Sequence, residues 1–349
     1  VAQEEARTQS LRVAVVGAGA FGRNHLRVLK ELEQAGQAVE LVGVVDRDAA
    51  AVAAAAEKFS VPGFETIEAC LSAVGQLDAA SVCVPTVHHA SAAAALLAAG
   101  VDVLIEKPLA ASLADADLIL ELARKHERIV QVGHLERFNP AVTAARQHLN
   151  KPMFFEAHRL SIFTARSLDV DVVLDLMIHD LDIVLSLVAS PVREVRAVGL
   201  PVLSRKVDIA NVRVEFENGC IANFTASRVS TERVRKLRFF QPYQYLSLDF
   251  ARQDLLMIDV TAAAGMDPAM LAAMAERAQQ AGGHPSAGLS LKKVAVELGE
   301  PLRLEIEAFL QAVRTRTRPV VSGEDGRDAL ALALEINEAI AVHAERAGL

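Results

Sequence analysis

Short, almost wholly apolar runs alternate with alanine- and leucine-rich stretches over the first third of the chain. Leu11–Val16, broken only by Arg12, then Leu41–Val45, Ala79–Val84, Val101–Ile105 and Ile129–Val132 predict strands. Between them Arg23–Leu32, Asp48–Phe59, Ser91–Ala99 and Ser112–His126 predict helices. Continuous apolar strands separated by helices are the pattern of a parallel sheet covered on both faces. The texture changes near residue 135. Asn139-Pro140 reads as an N-cap with proline at the first helical position, opening a helix to about His148. Met153–Ser161 predicts a strand, and Val170–Leu187 is apolar at helical spacing with carboxylates and one histidine interleaved. Val195–Val198, Asn211–Phe216, Cys220–Arg228, Val234–Phe239, Tyr245–Phe250 and Leu255–Val260 then form a series of strands, with Glu217-Asn218-Gly219 as a hairpin turn.

The fold class predicted is α/β. A parallel-sheet domain over 1–135 precedes an α/β domain over 136–349 with a large, mostly antiparallel open sheet. Pro301–Arg314 and Gly326–Ala347 close the second domain as helices, and residues 261–290 form a helical, then glycine-rich excursion. The strands from about 195 to 260 alternate poorly between apolar and polar, and one sheet face is short of covering helices. An uncovered apolar face associates, so a homodimer or homotetramer is expected.

Composition narrows the function. Apolar residues make up 52% and charged residues 23%, an ordinary globular balance. Lys plus Arg is 36 against 44 for Asp plus Glu, a net charge of −8, and aromatics are 4% with no Trp. No nucleic-acid partner is expected, because backbone binding needs clustered positive charge and single strands need stacking platforms. Cys70, Cys83 and Cys220 form neither a disulfide framework nor a CxxC pair, and VAQEEARTQS has no apolar core of a signal peptide. A reducing, cytoplasmic setting without membrane association is expected.

Three segments carry chemistry. Gly17, Gly19 and Gly22, with Ala20 and Phe21 between them, form GxGxxG directly after the first strand and open a helix. Such glycines permit a tight turn and close backbone approach to a pyrophosphate that lies on the helix N-terminus. Asp46 ends the next strand at the spacing of the acid that binds an adenosine ribose 2′-hydroxyl. A carboxylate there favours NAD over NADP, although a guanidinium at Arg47 would suit a 2′-phosphate. Pro85, Thr86 and His89 follow a buried strand end on the cofactor side. The histidine pair His88-His89 lacks further ligands nearby, so no metal is expected. Glu106-Lys107-Pro108 ends another buried strand, where ligands of such sheets bind. A lysine there can move a substrate proton, or be a solvated strand end. Asp175, His179 and Asp182 share one side of a helix. They suit an imidazole oriented by carboxylates, or an acidic helix start with a core histidine. Asp180 lies about 100° round that helix, so its substitution is expected to matter little.

Taken together, VGAGAFG, VPTVHH, the lysine of Glu106-Lys107-Pro108 and the D-x-x-x-H-x-x-D of Asp175, His179 and Asp182 resemble the glucose–fructose oxidoreductase / inositol dehydrogenase / rhizopine catabolism (Gfo/Idh/MocA) family. The resemblance covers nearly the whole chain. It implies a Rossmann domain, then a domain whose sheet makes the oligomer interface, a held NAD(H) or NADP(H), and oxidation of a hydroxyl on a sugar or sugar-like ring. It also implies Lys107 as catalytic lysine, His179 as acid/base and Asp175 as its partner, with Glu106 and Lys107 also touching the cofactor. Many members carry two glycines shortly before that Asp. Here the stretch is Asp171-Val-Val-Leu, which leaves the pose of Asp175 open. A narrower resemblance, through Gly133–Ala141, Arg166–Asp169, Asp175–Ile183, Glu300–Glu307 and Val321–Gly326, is to the UDP-N-acetylglucosamine 3-dehydrogenase branch. It implies a sugar ketone that a partner aminotransferase converts to an amine. His134, Arg137, Asn139 and Arg166 are the candidate substrate contacts. The rival readings are a dehydrogenase of a free polyol or another sugar, and a non-catalytic dinucleotide-binding redox sensor.

Overall fold

The computed structural model describes residues 10–163, 170–261, 266–280 and 290–348. The chain divides into two compact units: Val1–Phe138 with Glu300–Ala331, and Asn139–Gly299 with Leu332–Leu349.

In the first unit β1 (Leu11–Val16), α1 (Ala20–Gln34), β2 (Val39–Val45), α2 (Ala49–Phe59), β3 (Gly63–Phe64), α3 (Ile67–Val74), β4 (Ala79–Val82), α4 (His89–Ala98), β5 (Asp102–Glu106), α5 (Leu113–Lys125) and β6 (Val130–Gly133) alternate. The six strands pair in the order β3-β2-β1-β4-β5-β6, all parallel. The reversal at β1 and β4 is a topological switch point, where ligands of open α/β sheets bind. The helices are capped as their sequences demand. Asp48 accepts from the Ala50 and Ala51 amides, Thr66 from Ala69, and Ser112 from Asp115. The pair β3–α3 was not among the expected elements, since a two-residue strand leaves no periodic run to read.

The helix Pro301–Thr315 belongs with this unit, which differs from a single cut near residue 135. Its stripe Ile306, Phe309, Leu310 and Val313 packs into the cluster of Val13, Val15, Leu26, Leu29 and Leu32 from β1 and α1. Each such side chain, fully buried, is worth about 1.5–3 kcal/mol, which fixes the helix here.

The second unit begins with α6 (Pro140–Arg146) and β7 (Phe154–Leu160). A π-helical turn, Val173–Met177, leads into α7 (Ile178–Val188), followed by β8 (Val192–Leu200), β9 (Ile209–Phe216), β10 (Ile221–Ser227), β11 (Val234–Gln241), β12 (Gln244–Asp249), β13 (Asp254–Asp259), α8 (Pro268–Gln280) and β14 (Ser290–Val294). With Pro301–Thr315 as α9, the last helix is α10 (Gly323–Ala347). The eight strands order as β14-β13-β12-β11-β7-β10-β9-β8, antiparallel except between β7 and β10. Alternation in this sheet is regular, which corrects the expectation that it is poor. Phe155, Ala157, Phe224, Phe239, Leu246 and Leu248 are buried on one face, while the residues between them are half-buried or exposed. Apolar side chains on the open face, such as Phe154, Phe240, Tyr245 and Leu256, hide that period from a hydropathy reading.

Candidate active site

The turn after β1 is shaped by what its glycines lack. Gly17 has φ +109°, and a Cβ there would lie 2.6 Å from the Cys83 carbonyl. A Cβ on Gly22 would lie 1.8 Å from the Gly17 carbonyl oxygen. Only glycine allows this close approach. At Gly19, which caps α1, a Cβ would meet nothing within 4 Å. The helix starts without a side-chain cap and without an acidic residue in its first turn. Its first amides and its positive dipole end therefore face open space suited to a phosphate, flanked by Ala20 and the exposed Phe21.

Asp46 follows β2. Its Oδ2 accepts from the Ala18 amide at 2.6 Å and its Oδ1 from the Asp48 amide at 3.0 Å, which sets the carboxylate beside the glycine turn. Next to it opens a cavity of about 460 Å³ lined by Asp46, Arg47, Glu65, Glu68, Pro85 and His88. Glu65 and Glu68 went unnoticed in the sequence with β3–α3, although their place after the Asp46 strand could have shown them. Volume, glycine turn and carboxylate together fit the adenosine and phosphate portions of a dinucleotide.

Glu106 ends β5 and Lys107 follows it. Lys107 is half-buried and engaged in contacts with its surroundings. The Glu106 carboxylate turns inward and meets Nε2 of His25 at 2.8 Å. His25 itself was not singled out in the sequence. His89 is buried, with Nδ1 3.0 Å from the Pro108 carbonyl and Nε2 2.9 Å from that of Val84. Burial pushes its pKa down, so the ring is neutral and donates to only one of the two. Both nitrogens face backbone carbonyls, which makes His89 a brace between two loops. Thr86 opens the short turn Thr86–His88 beside Pro85.

In the second unit Asp171 caps the helical entry. Its Oδ1 accepts from the Val173 and Leu174 amides and its Oδ2 from Asn337. Asp175 lies in the π-helical turn and His179 in the first turn of α7, both half-buried and engaged. The spacing of 3.6 residues assumed for their shared face does not hold across the π turn. Such π turns are frequent at functional sites. Asp182 is buried. Asp180 is not a bystander. It pairs with Arg159 of β7 through two 2.8 Å hydrogen bonds, both residues buried, and the Arg159 guanidinium lies 5.2 Å from the Phe250 ring centre. The expectation that Asp180 is dispensable is therefore corrected.

Of the candidate substrate contacts, Asn139 is occupied as the N-cap of α6. Its Oδ1 accepts from the Ala141 amide and its Nδ2 donates to the Phe250 carbonyl, which gives it a structural role. His134 is fully buried, and Arg137 is buried with Nη2 4.0 Å from Asp325. Arg166 lies outside the described residues. Among the described residues no helix is long and apolar enough to cross a membrane.

Comparison with known proteins follows the same division. The family described as "Oxidoreductase family, NAD-binding Rossmann fold" matches residues 11–134, and "GFO/IDH/MocA C-terminal domain" matches residues 139–240. The chain is 34% identical to UDP-N-acetylglucosamine 3-dehydrogenase of Acidithiobacillus ferrooxidans over 337 residues, 96% of this chain and 99% of that protein. A solved structure of that enzyme superposes with a TM-score of 0.82 at 32% identity, covering 95% of this chain and 98% of the other. Inositol 2-dehydrogenase of Acidothermus cellulolyticus is 31% identical over 202 residues, 55% of this chain and 58% of that protein. Levoglucosan dehydrogenase in complex with NADH shares the fold at a TM-score of 0.79 and 16% identity, with 95% and 97% of the two chains covered.

Proposed function

The chain belongs to the Gfo/Idh/MocA oxidoreductase family as an NAD-binding member, and from that premise we propose that it oxidises a ring hydroxyl of a nucleotide sugar, UDP-N-acetylglucosamine at its 3-hydroxyl. The observation that carries this reading is the near full-length likeness to a UDP-N-acetylglucosamine 3-dehydrogenase, with Lys107, Asp175 and His179 all present. NAD, when bound, accepts a hydride at its nicotinamide ring. This chain's residues bind the dinucleotide and move the hydroxyl proton. Lys107 and His179 are the residues assigned to that proton, with Asp175 orienting the imidazole. Arg137 and Arg166 are kept as candidates for the anionic part of the substrate. The keto product would be consumed by an aminotransferase that converts it to an amine. NADH formation is expected with UDP-N-acetylglucosamine, with the ketone trapped by such an aminotransferase. Turnover of free inositol or glucose but of no nucleotide sugar would move the assignment to a polyol dehydrogenase. NAD binding without turnover of any sugar would leave a redox sensor.

NAD rather than NADP is the cofactor we assign. Three carboxylates, Asp46, Glu65 and Glu68, line the cavity against one guanidinium, Arg47. A 2′-phosphate brought there is repelled more than it is held. Dissociation constants measured side by side are expected to favour NAD, and Asp46→Ala to weaken NAD most. Tighter NADP binding would show that Arg47 dominates.

The second unit is assigned to substrate binding and self-association, in a homodimer or homotetramer. On the open sheet face Phe154, Phe240 and Tyr245 form a run with ring centres 5.5 and 4.9 Å apart, and Phe240 and Leu256 of β13 are exposed. Sedimentation is expected to give a dimer or larger. A monomer at micromolar concentration would refute the assignment.

A further inference from the structure

His25 has no part in the chemistry assigned so far, yet it is a fully buried histidine within the first unit. It lies on α1, one turn beyond the glycine-rich loop. Its Nε2 is 2.8 Å from Oε1 of Glu106, the residue directly before Lys107. Its Nδ1 has no partner among the described residues. The Nε2–H donates to the carboxylate. Gly133, the partner of Glu106 on β6, makes room for this pose. A Cβ there would lie 3.2 Å from the carboxylate carbon and from Oε2. Cys83 completes a trio whose ligand atoms lie within 4.8 Å of one another. Burial first, then the Glu106 and Glu305 charges, push that thiol's pKa well up, so it keeps its proton. The contact the trio makes is the one between His25 and the Glu106 carboxylate.

We propose that His25 is a positioning residue for Lys107, acting through Glu106. A buried carboxylate is costly unless paired, so Glu106 stays on His25. Fixing Glu106 toward α1 thus pins the last residue of β5, and with it the backbone from which Lys107 projects. Because α1 also presents the phosphate-binding amides, one helix sets both the dinucleotide cradle and the lysine strand. This inference rests on the reading of Lys107 as the proton-handling residue.

The test compares His25→Leu and His25→Asn, which remove or shorten the donor, with His25→Gln, whose Nε2 can still reach the carboxylate. With NAD and UDP-N-acetylglucosamine, the first two are expected to lower kcat about 10–100-fold, the scale on which supporting hydrogen-bond partners act. His25→Gln is expected to recover most of the rate, and NAD affinity read by fluorescence to hold throughout. In a Lys107→Ala background, His25→Leu should cost nothing further, because it works through the missing lysine. An equal further loss there, an unimpaired His25→Leu enzyme, or a folded His25→Gln enzyme as slow as His25→Leu would each overturn the inference. A second readout needs no substrate. In reductively 13C-methylated protein, the Lys107 resonance, assigned by Lys107→Arg, is expected to titrate at a higher midpoint in His25→Leu, as the released carboxylate approaches the ammonium. An unchanged midpoint refutes the positioning role. A wild-type protein that turns over no nucleotide sugar refutes the proposed function while leaving this second readout intact.

Discussion

Lys107→Ala and His179→Ala are each expected to cut turnover by roughly 10²–10⁴, the usual scale for a positioned acid or base. Neither residue belongs to the glycine-rich loop or to the carboxylate-lined cavity, so NAD affinity is expected to stay near that of the wild type. If both serve one hydroxyl proton, the double variant costs less than the product of the two losses. Asp175→Asn should share the kcat loss of His179→Ala without adding to it, since its assigned task is to orient that ring. The measurement is kcat and KM for the nucleotide sugar at saturating NAD. Full turnover in His179→Ala would remove the imidazole from the mechanism and leave the proton to Lys107 alone.

What the sequence makes legible is whatever has a local period or a short fixed motif. β1 can be bounded to the residue, because a continuous apolar run ends in the glycines of a tight turn. The N-caps Asp48, Ser112 and Asn139 announce their helices for the same reason. The stripe of α9 shows that the helix buries a face, but not that the face is α1, which precedes it by more than 250 residues. The pair β3–α3 is too short to carry a period, and Glu65 and Glu68 were hidden with it. The π turn at Val173–Met177 is invisible to an argument built on 3.6 residues per turn. His25 and Arg159 are legible only through partners distant in sequence. Asn139 is legible in part. Its capping role is a local signal in Asn-Pro, whereas its hydrogen bond to the Phe250 carbonyl joins residues 111 apart and has no local trace.

Asp180→Ala is expected to destabilise the second unit by about 3–5 kcal/mol, the cost of leaving one member of a buried ion pair alone. Arg159 projects from the buried face of the large sheet and is 2% exposed, so water cannot take the place of the carboxylate. Its guanidinium is held by both Asp180 oxygens and lies against Phe250, a geometry that a lysine could not reproduce. The loss should appear as a lower unfolding midpoint in urea or on heating. Two compact units need not unfold in one step, so the transition is best followed by a probe in the second. Replacing both partners, Asp180→Leu with Arg159→Met, should recover much of the loss, because a packed apolar pair leaves no charge stranded. The same variants separate structure from chemistry on α7, where His179 and Asp180 are neighbours. If Asp180 acts only through Arg159, the folded fraction of Asp180→Ala keeps the wild-type pH profile of turnover, whereas His179→Ala loses a limb of it. An Asp180→Ala protein with an unchanged unfolding midpoint and lost turnover would overturn this assignment and place Asp180 in the proton chemistry instead.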